Sequence, residues 1–421
     1  MPAAETPSAP AQIRPSARPA ARLRILSLSC VYPSPNEPGL GLFVRARLQS
    51  LAAAAEIKVI APVAALDYEK RRILPRGSAT RRWDERFEVM HLRWLYPPFG
   101  GFWNAFFLFL RLAWPVLRLR KEFPFQLIDA HFAHPEGIAA ALLGRLLGCP
   151  FLVTLRGNEP LHARSRFRRY WIAFALRHAA RVITVSENLR AFAISLGADP
   201  ARVQTIPNGV DPDLFFPRDR RASRAKWGLA PERRVILCAG ELIQEKGHHL
   251  VLQALRSLAD HGTAAILVIA GRTGRGGRDF EDGLRHLVSQ LRLENQVRLL
   301  GWVEPEALAE LMSAADVFCL ASFTEGWPNV VHEALSCGTP VVATNVGGVP
   351  DLIPSDRYGF VIPVSDQASL NESLRRALAK RWDRAAISTW AHSRPWTRVA
   401  QEVFEQMRQT VAEAQGQQGQ T

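Results

Sequence analysis

The sequence predicts an α/β chain folded as two doubly wound lobes that face a central cleft. Three observations carry that prediction. A length of 421 residues suits two hydrophobic cores rather than one. Short apolar runs alternate with helix-like stretches, the pattern of parallel sheets covered by helices. A turn-rich passage, Pro207-Asn208-Gly209-Val210-Asp211, divides those runs into two successive series.

Taken in order, residues 1–22 are rich in Ala, Pro and Arg with Glu5 their single acid, and predict a disordered tail without the apolar core of a signal peptide. Residues 23–210 predict a first Rossmann-like domain. Its strands fall at Leu23–Leu28, Ile57–Ala61, Gln126–Ala130, Phe151–Leu155 and Arg181–Val185, with helices over Phe43–Ala54, Gly137–Leu147 and Phe167–His178. Residues 211–385 predict a second such domain, with strands at Val235–Ala239, Ala265–Ala270, Val297–Leu300, Val317–Leu320 and Pro340–Ala343. Residues 386–421 predict a helix returning to the first domain, then a polar tail. Open parallel sheets bind ligands beyond the carboxyl ends of their strands. Gly39 and Gly41, Gly240, Gly271 and Glu325 all follow predicted strands.

No run of eighteen uncharged apolar residues exists, so no membrane span is expected. The nearest candidate, the aromatic stretch from Phe99 to Trp114, reads either as a buried helix or as a membrane-surface contact. Five scattered cysteines among apolar neighbours read as buried thiols of a reducing, cytoplasmic compartment. The formal charge of +14 is uneven: residues 1–210 carry 29 Lys and Arg against 14 Asp and Glu, and residues 211–421 carry 24 against 25. Clusters at Lys70-Arg71-Arg72, Arg81-Arg82 and Arg164, Arg166, Arg168 and Arg169, with Trp83, Phe167, Tyr170 and Trp171 beside them, suit an anionic membrane face or a lipid-linked phosphate. Nucleic acid is the less favoured partner.

The chemistry concentrates in Glu325-Gly326-Trp327-Pro328-Asn329-Val330-Val331-His332-Glu333. Its two carboxylates, one on a Gly/Pro loop and one within a helix, suit a ligand with hydroxyls at two separated places. Pro328-Asn329 fits the start of a helix, whose free amides attract a phosphate. Glu333 lies between Val330, Val331, Ala334 and Leu335, where an unpaired carboxylate is costly. A nucleotide sugar meets all three demands.

These residues resemble retaining glycosyltransferases of family 4, group 1, with the two-domain GT-B fold. The resemblance covers roughly residues 23–400, through Gly240-Glu241-Leu242-Ile243-Gln244-Glu245-Lys246-Gly247, the run Glu325–Pro340, and Val341 to Asp351. In the first half it covers Tyr32–Val44, His131-Phe132-Ala133-His134-Pro135-Glu136-Gly137, Thr154–Glu159 and the passage at 208–211.

The resemblance implies transfer of a sugar from a nucleoside diphosphate donor, UDP being expected, to a saccharide or lipid-linked saccharide, with retention and without a metal or other cofactor. It assigns Lys246 to the diphosphate, Glu325 to the sugar, and His131 to the sugar through its ring or its carbonyl. Gly240, Gly41, Asn329 and Val330 take the donor side with Glu333 on the ribose, while Gly39, His134, Arg156, Asn158 and Glu159 take the acceptor side. The chain departs from the family where Glu241 replaces a common Arg: either Arg272, Arg275 or Arg278 supplies the cation, or the stretch Gly271–Gly277 is only a surface loop and donor binding is weakened. A sugar-nucleotide epimerase of the same fold, or a non-enzymatic binding protein, is the alternative.

Overall fold

The computed structural model describes residues 22–35, 37–64, 66–67, 72–73, 81–95, 103–273 and 278–418. The predicted tail up to residue 21, Lys70, Arg71, Phe99 to Phe102 and Arg275 lie outside those residues.

The first sheet has eight strands: β1 (Leu23–Leu28), β2 (Ala55–Ile60), β3 (Arg81–Asp84), β4 (Phe87–Met90), β5 (Leu127–His131), β6 (Phe151–Leu155), β7 (Arg181–Thr184) and β8 (Val203–Thr205). Their order across the sheet is β8-β7-β6-β5-β1-β2-β4-β3, parallel except for the β3–β4 hairpin. β5 and β6 are buried along their whole length, as expected of central strands covered on both faces. Ile25 sits at the centre, in register with Ile57 on one side and Leu127 on the other.

The second sheet is wholly parallel, with β9 (Arg234–Ala239), β10 (Ala265–Ala270), β11 (Val297–Gly301), β12 (Val317–Leu320), β13 (Val341–Thr344) and β14 (Gly359–Ile362) in the order β11-β10-β9-β12-β13-β14. In both sheets the winding reverses at one place, between β1 and β5 and between β9 and β12. A crevice opens at such a reversal, beyond the carboxyl ends of the strands.

All ten predicted strands form, with ends shifted by up to two residues. β13 starts at Val341 because Pro340 has no N–H for the ladder. The β3–β4 hairpin was read as a basic cluster instead, since Arg81, Arg82 and Trp83 are exposed at the sheet edge, where charge protects against further pairing. β8 and β14, of three and four residues, are too short to show a period.

Two chain crossings join the lobes side by side. Val210 N–H donates to Arg394 O at 3.1 Å, Trp396 N–H returns a bond to Val210 O at 3.1 Å, and Arg394 Nε reaches Pro207 O at 3.1 Å. Helix Arg384–His392 stays on the second lobe, where His332 Nε2 lies 2.9 Å from Ala391 O. The return is made by helix Trp396–Gln418, whose Val399, Val403 and Met407 join Val44, Leu48 and Leu51 of helix Leu42–Leu51 in one core. No helix among the described residues is long and apolar enough to cross a membrane.

Candidate active site

The loops after β9, β10 and β12 converge where the second sheet reverses. Gly247 makes that possible: it adopts φ +67°, and a Cβ there would stand 2.0 Å from Ala321 O. Only glycine allows the β9 loop to lie on the β12 loop so closely. Phe323 N–H then donates to Glu245 O at 2.8 Å. Lys246, on the single turn Gln244–Lys246, is thereby set with Nζ 2.6 Å from Glu325 Oε1, which also accepts from Ser322 Oγ at 2.7 Å. The stem of Lys246 runs beside Gly240, whose φ is +150°.

Helix Asn329–Ser336 follows directly, with Pro328 at its cap position and no side chain capping it. The first amides of a helix have no partner within it, so those of Asn329 and Val330 are open to an anion. Glu333 lies one turn further along the same helix. Its carboxylate makes no hydrogen bond or ion pair among the described residues, and burial pushes it up to about 7. On the other flank Arg272 Nη2 lies 3.5 Å from Glu241 Oε1, and Leu242 N–H donates to Arg272 O at 2.9 Å. The acid at 241 is thus held against a half-exposed cation from the next strand end. Arg278 begins helix Arg278–Gln290, and its side chain is not described.

The first lobe meets this group edge on. A Cβ on Gly326 would lie 1.9 Å from Arg156 O, so the β6 and β12 loops touch backbone to backbone. Gly39 lies under Trp302, the residue after β11, and Gly41 heads helix Leu42–Leu51.

Behind that contact runs a buried polar chain. Arg47 Nη2 holds Asp129 Oδ2 at 2.7 Å, and Arg47 Nη1 donates to Thr154 Oγ1 at 2.8 Å. Asp129 Oδ2 lies 3.2 Å from His131 Nε2, and His131 Nδ1 lies 2.8 Å from Arg156 Nη2. Arg156 Nη1 donates to Asn208 Oδ1 at 3.1 Å, and Asn208 Nδ2 donates to Asn329 Oδ1 at 3.0 Å. A guanidinium only donates, so Nδ1 of His131 is the acceptor and its proton sits on Nε2, facing Asp129. Burial takes His131 down to about 3 despite that carboxylate. Burial alone would raise Asp129, but Arg47 and His131 outweigh it and hold Asp129 below the usual carboxylate range. The chain links the core of one lobe to the helix start of the other.

Three residues expected on the acceptor are placed otherwise. Arg156 is buried and spent on His131 and Asn208. Glu159 is buried, its oxygens accepting from Arg156 N–H at 3.1 Å and Gly157 N–H at 2.7 Å, so it shapes the turn. Gly39 backs onto Trp302. The His131 ring likewise has both nitrogens facing protein groups, Asp129 and Arg156. His134 is buried with no hydrogen-bond partner at either ring nitrogen among the described residues, and burial followed by His162 and Arg168 brings it to about 3. Asn158 is exposed at the start of the short helix Glu159–His162.

Arg47, Asp129 and Asn208 escaped the sequence reading as site residues. The signal was available for two of them: Asp129 is a lone acid in the apolar run Leu127–His131, and Arg47 lies on the apolar face formed by Val44, Leu48 and Leu51. Charges in such places demand partners. Among the described residues no cluster of three or more His, Cys, Asp or Glu is placed to hold a metal ion.

Two family models match the chain: Glycosyltransferase Family 4 over residues 39–214 and Glycosyl transferases group 1 over residues 219–394. The chain is 29% identical over 408 residues to the putative teichuronic acid biosynthesis glycosyltransferase TuaC of Bacillus subtilis, covering 91% of this chain and 93% of that protein. Among solved structures it resembles sucrose-phosphate synthase from Thermosynechococcus elongatus, with a TM-score of 0.75 at 21% identity over 93% of this chain and 100% of the other. It also resembles Anabaena Alr3699/HepE in complex with UDP, with a TM-score of 0.71 at 21% identity over 92% and 100%. The likeness to these two is one of fold, the two-lobed GT-B architecture.

Proposed function

Because this chain belongs to the family 4, group 1 glycosyltransferases, we propose that it moves a sugar from a UDP-sugar to a hydroxyl of a saccharide acceptor, with retention and without a metal. The observation that carries the reading is the grouping of Lys246, the open start of helix Asn329–Ser336 and the unpartnered Glu333 on adjoining strand ends. Lys246 and the amides of Asn329 and Val330 take the diphosphate, with Arg272 as the second cation. Glu333 accepts from the ribose hydroxyls, and Glu325 from the sugar. HepE, solved with UDP, supports the nucleotide. The name of the Bacillus relative supports a surface-polysaccharide acceptor.

In the reaction the bond from the anomeric carbon to the phosphate oxygen breaks as the acceptor oxygen attacks from the same face. The departing phosphate takes the acceptor's proton, so no protein nucleophile is needed. Charge grows on the leaving diphosphate, and a fixed ammonium at that point lowers the barrier. Thermal stabilisation by a panel of nucleotides tests the reading, since a ligand at 100 times its Kd stabilises by about 2.7 kcal/mol. UDP is expected to give the largest shift among nucleoside diphosphates. No shift from any nucleotide would sink the site, and an equal shift from all of them would sink the choice of UDP.

Glu333 also gives the donor a pH dependence. Ribose hydroxyls donate to the ionised carboxylate, so donor binding lowers the raised pKa and affinity climbs as pH rises through about 7. Without ligand the sign reverses: burial favours the neutral acid, and its contribution to stability is lost as pH rises from the ordinary 4.5 to about 7. Calorimetric titration with a UDP-sugar, whose phosphates do not titrate in that range, should show the slope in the wild type and a flat profile in Glu333→Gln. A slope that persists in the variant would assign the titration elsewhere.

The acceptor is proposed to be lipid-linked, at the inner face of the cytoplasmic membrane. Helix Asn104–Glu122 exposes Leu110, Trp114 and Leu117, spaced to share one face, and Arg118 lies 5.8 Å over the Trp114 ring. Tyr170 is exposed on the neighbouring helix Arg166–His178, beside Arg166 and Arg169. The wild type is expected to float with anionic liposomes and Trp114→Ser/Leu117→Ser to float less. Failure of the wild type to float would remove the membrane contact and leave the donor site standing.

A further inference from the structure

A cavity of about 260 Å³ lies between the lobes, walled by the loops after β6 and β7 on one side and after β12 and β13 on the other. Lys246 and Arg272 follow β9 and β10 instead. The cavity therefore lies further along the cleft, on the β12–β13 side of the group assigned to the diphosphate. Glu325 is the wall the two places share.

Its chemistry differs from that of the donor group. In a chain of charge +14, no Lys or Arg lines it. Asp351 and Glu187 face each other from the two lobes nearby, and Asp351 is raised by burial and then by that neighbour. No cationic side chain in the lining offsets an anion's charge, and the helix start at Ser186 carries its own acid, Glu187. The lining offers neutral hydrogen-bonding groups instead: the side chains of Asn188, Thr324 and Asn345 make no hydrogen bond to protein among the described residues. Ser186 Oγ is fully buried without a partner, at the start of helix Glu187–Ser195, which it does not cap. A buried hydroxyl left unpaired is costly and calls for a ligand or water. Leu189, Phe323 and Val346 supply apolar surface beside these groups. Neutral donors and acceptors around an apolar wall match a sugar ring, which has hydroxyls at its rim and C–H groups on its faces.

We propose that this cavity holds a neutral sugar unit of the acceptor, next to the unit that receives the transferred sugar. The inference rests on the glycosyltransferase reading above. Saturation-transfer NMR with the methyl glycosides of glucose, galactose, mannose and N-acetylglucosamine, recorded with UDP in excess, reads the cavity directly. At least one glycoside is expected to show transfer in the wild type, reduced about fivefold or more by Asn188→Ala/Asn345→Ala and abolished by the space-filling Asn188→Trp. The UDP thermal shift should be unchanged in both variants. No transfer to any glycoside in the wild type, or equal transfer in wild type and variants, overturns the proposal. Stronger transfer to glucose 1-phosphate than to methyl glucoside also overturns it, because the cavity would then select an anion. A wild type that binds glycosides but shows no UDP shift would instead sink the donor reading, so the two failures are distinguishable.

Discussion

Lys246→Ala is expected to lower kcat for sugar transfer by about 10²–10³-fold, the cost of removing one fixed group that stabilises transition-state charge. The argument is geometric. Nζ of Lys246 is held 2.6 Å from Glu325 Oε1 by a loop that cannot move away, because Gly247 is pressed onto Ala321 O and Phe323 is bonded to Glu245 O. The ammonium is therefore fixed before the donor arrives. Folding should be little affected, since Glu325 keeps Ser322 Oγ and Lys246 is partly exposed. Steady-state kinetics with the donor varied, alongside a melting curve, separates the two outcomes. A variant that keeps the wild-type kcat would remove Lys246 from the catalytic group.

Asp129→Ala is expected to destabilise the first lobe by about 3–5 kcal/mol, because it leaves the Arg47 guanidinium buried and unpaired. Replacing both ends, in Arg47→Met/Asp129→Leu, should cost less than the single change, since a buried pair exchanged for apolar groups is often neutral. Burial by itself would raise the Asp129 pKa, yet Arg47 and His131 pull it below the ordinary 3.8. Its contribution is thus complete above 3.8 and drains away as pH falls below that value. Denaturant unfolding followed by tryptophan fluorescence measures all three statements. A double variant less stable than Asp129→Ala would contradict the account of the pair.

The second-lobe grouping was legible because its parts are local. Glu325, Asn329 and Glu333 fall within one loop and one helix, and Lys246 precedes the glycine that turns its loop. Spacing along the chain translates into spacing in space when a single element carries the residues. The first-lobe chain was not legible for the opposite reason: Arg47 meets Asp129 across 82 positions, and Asn208 meets Asn329 across 121. Arg156 and Glu159 show how this misleads. Both follow a strand end where ligands bind, but the direction of each side chain is set by tertiary partners, His131 and Asn208 for one and the turn amides for the other. Ten of the parallel strands were readable from short apolar runs, whereas the hairpin's outer strand Arg81–Asp84 carries its charges outward, and β8 and β14 are too short to show a pattern.

The position of UDP in a crystal of the complex tests the central claim most directly. The account predicts both phosphates in the crevice between the lobes, within hydrogen-bond reach of Lys246 Nζ and the Asn329 and Val330 amides, with the ribose hydroxyls on Glu333. UDP bound outside that crevice, or with its diphosphate turned away from Lys246 and the helix start, would contradict it.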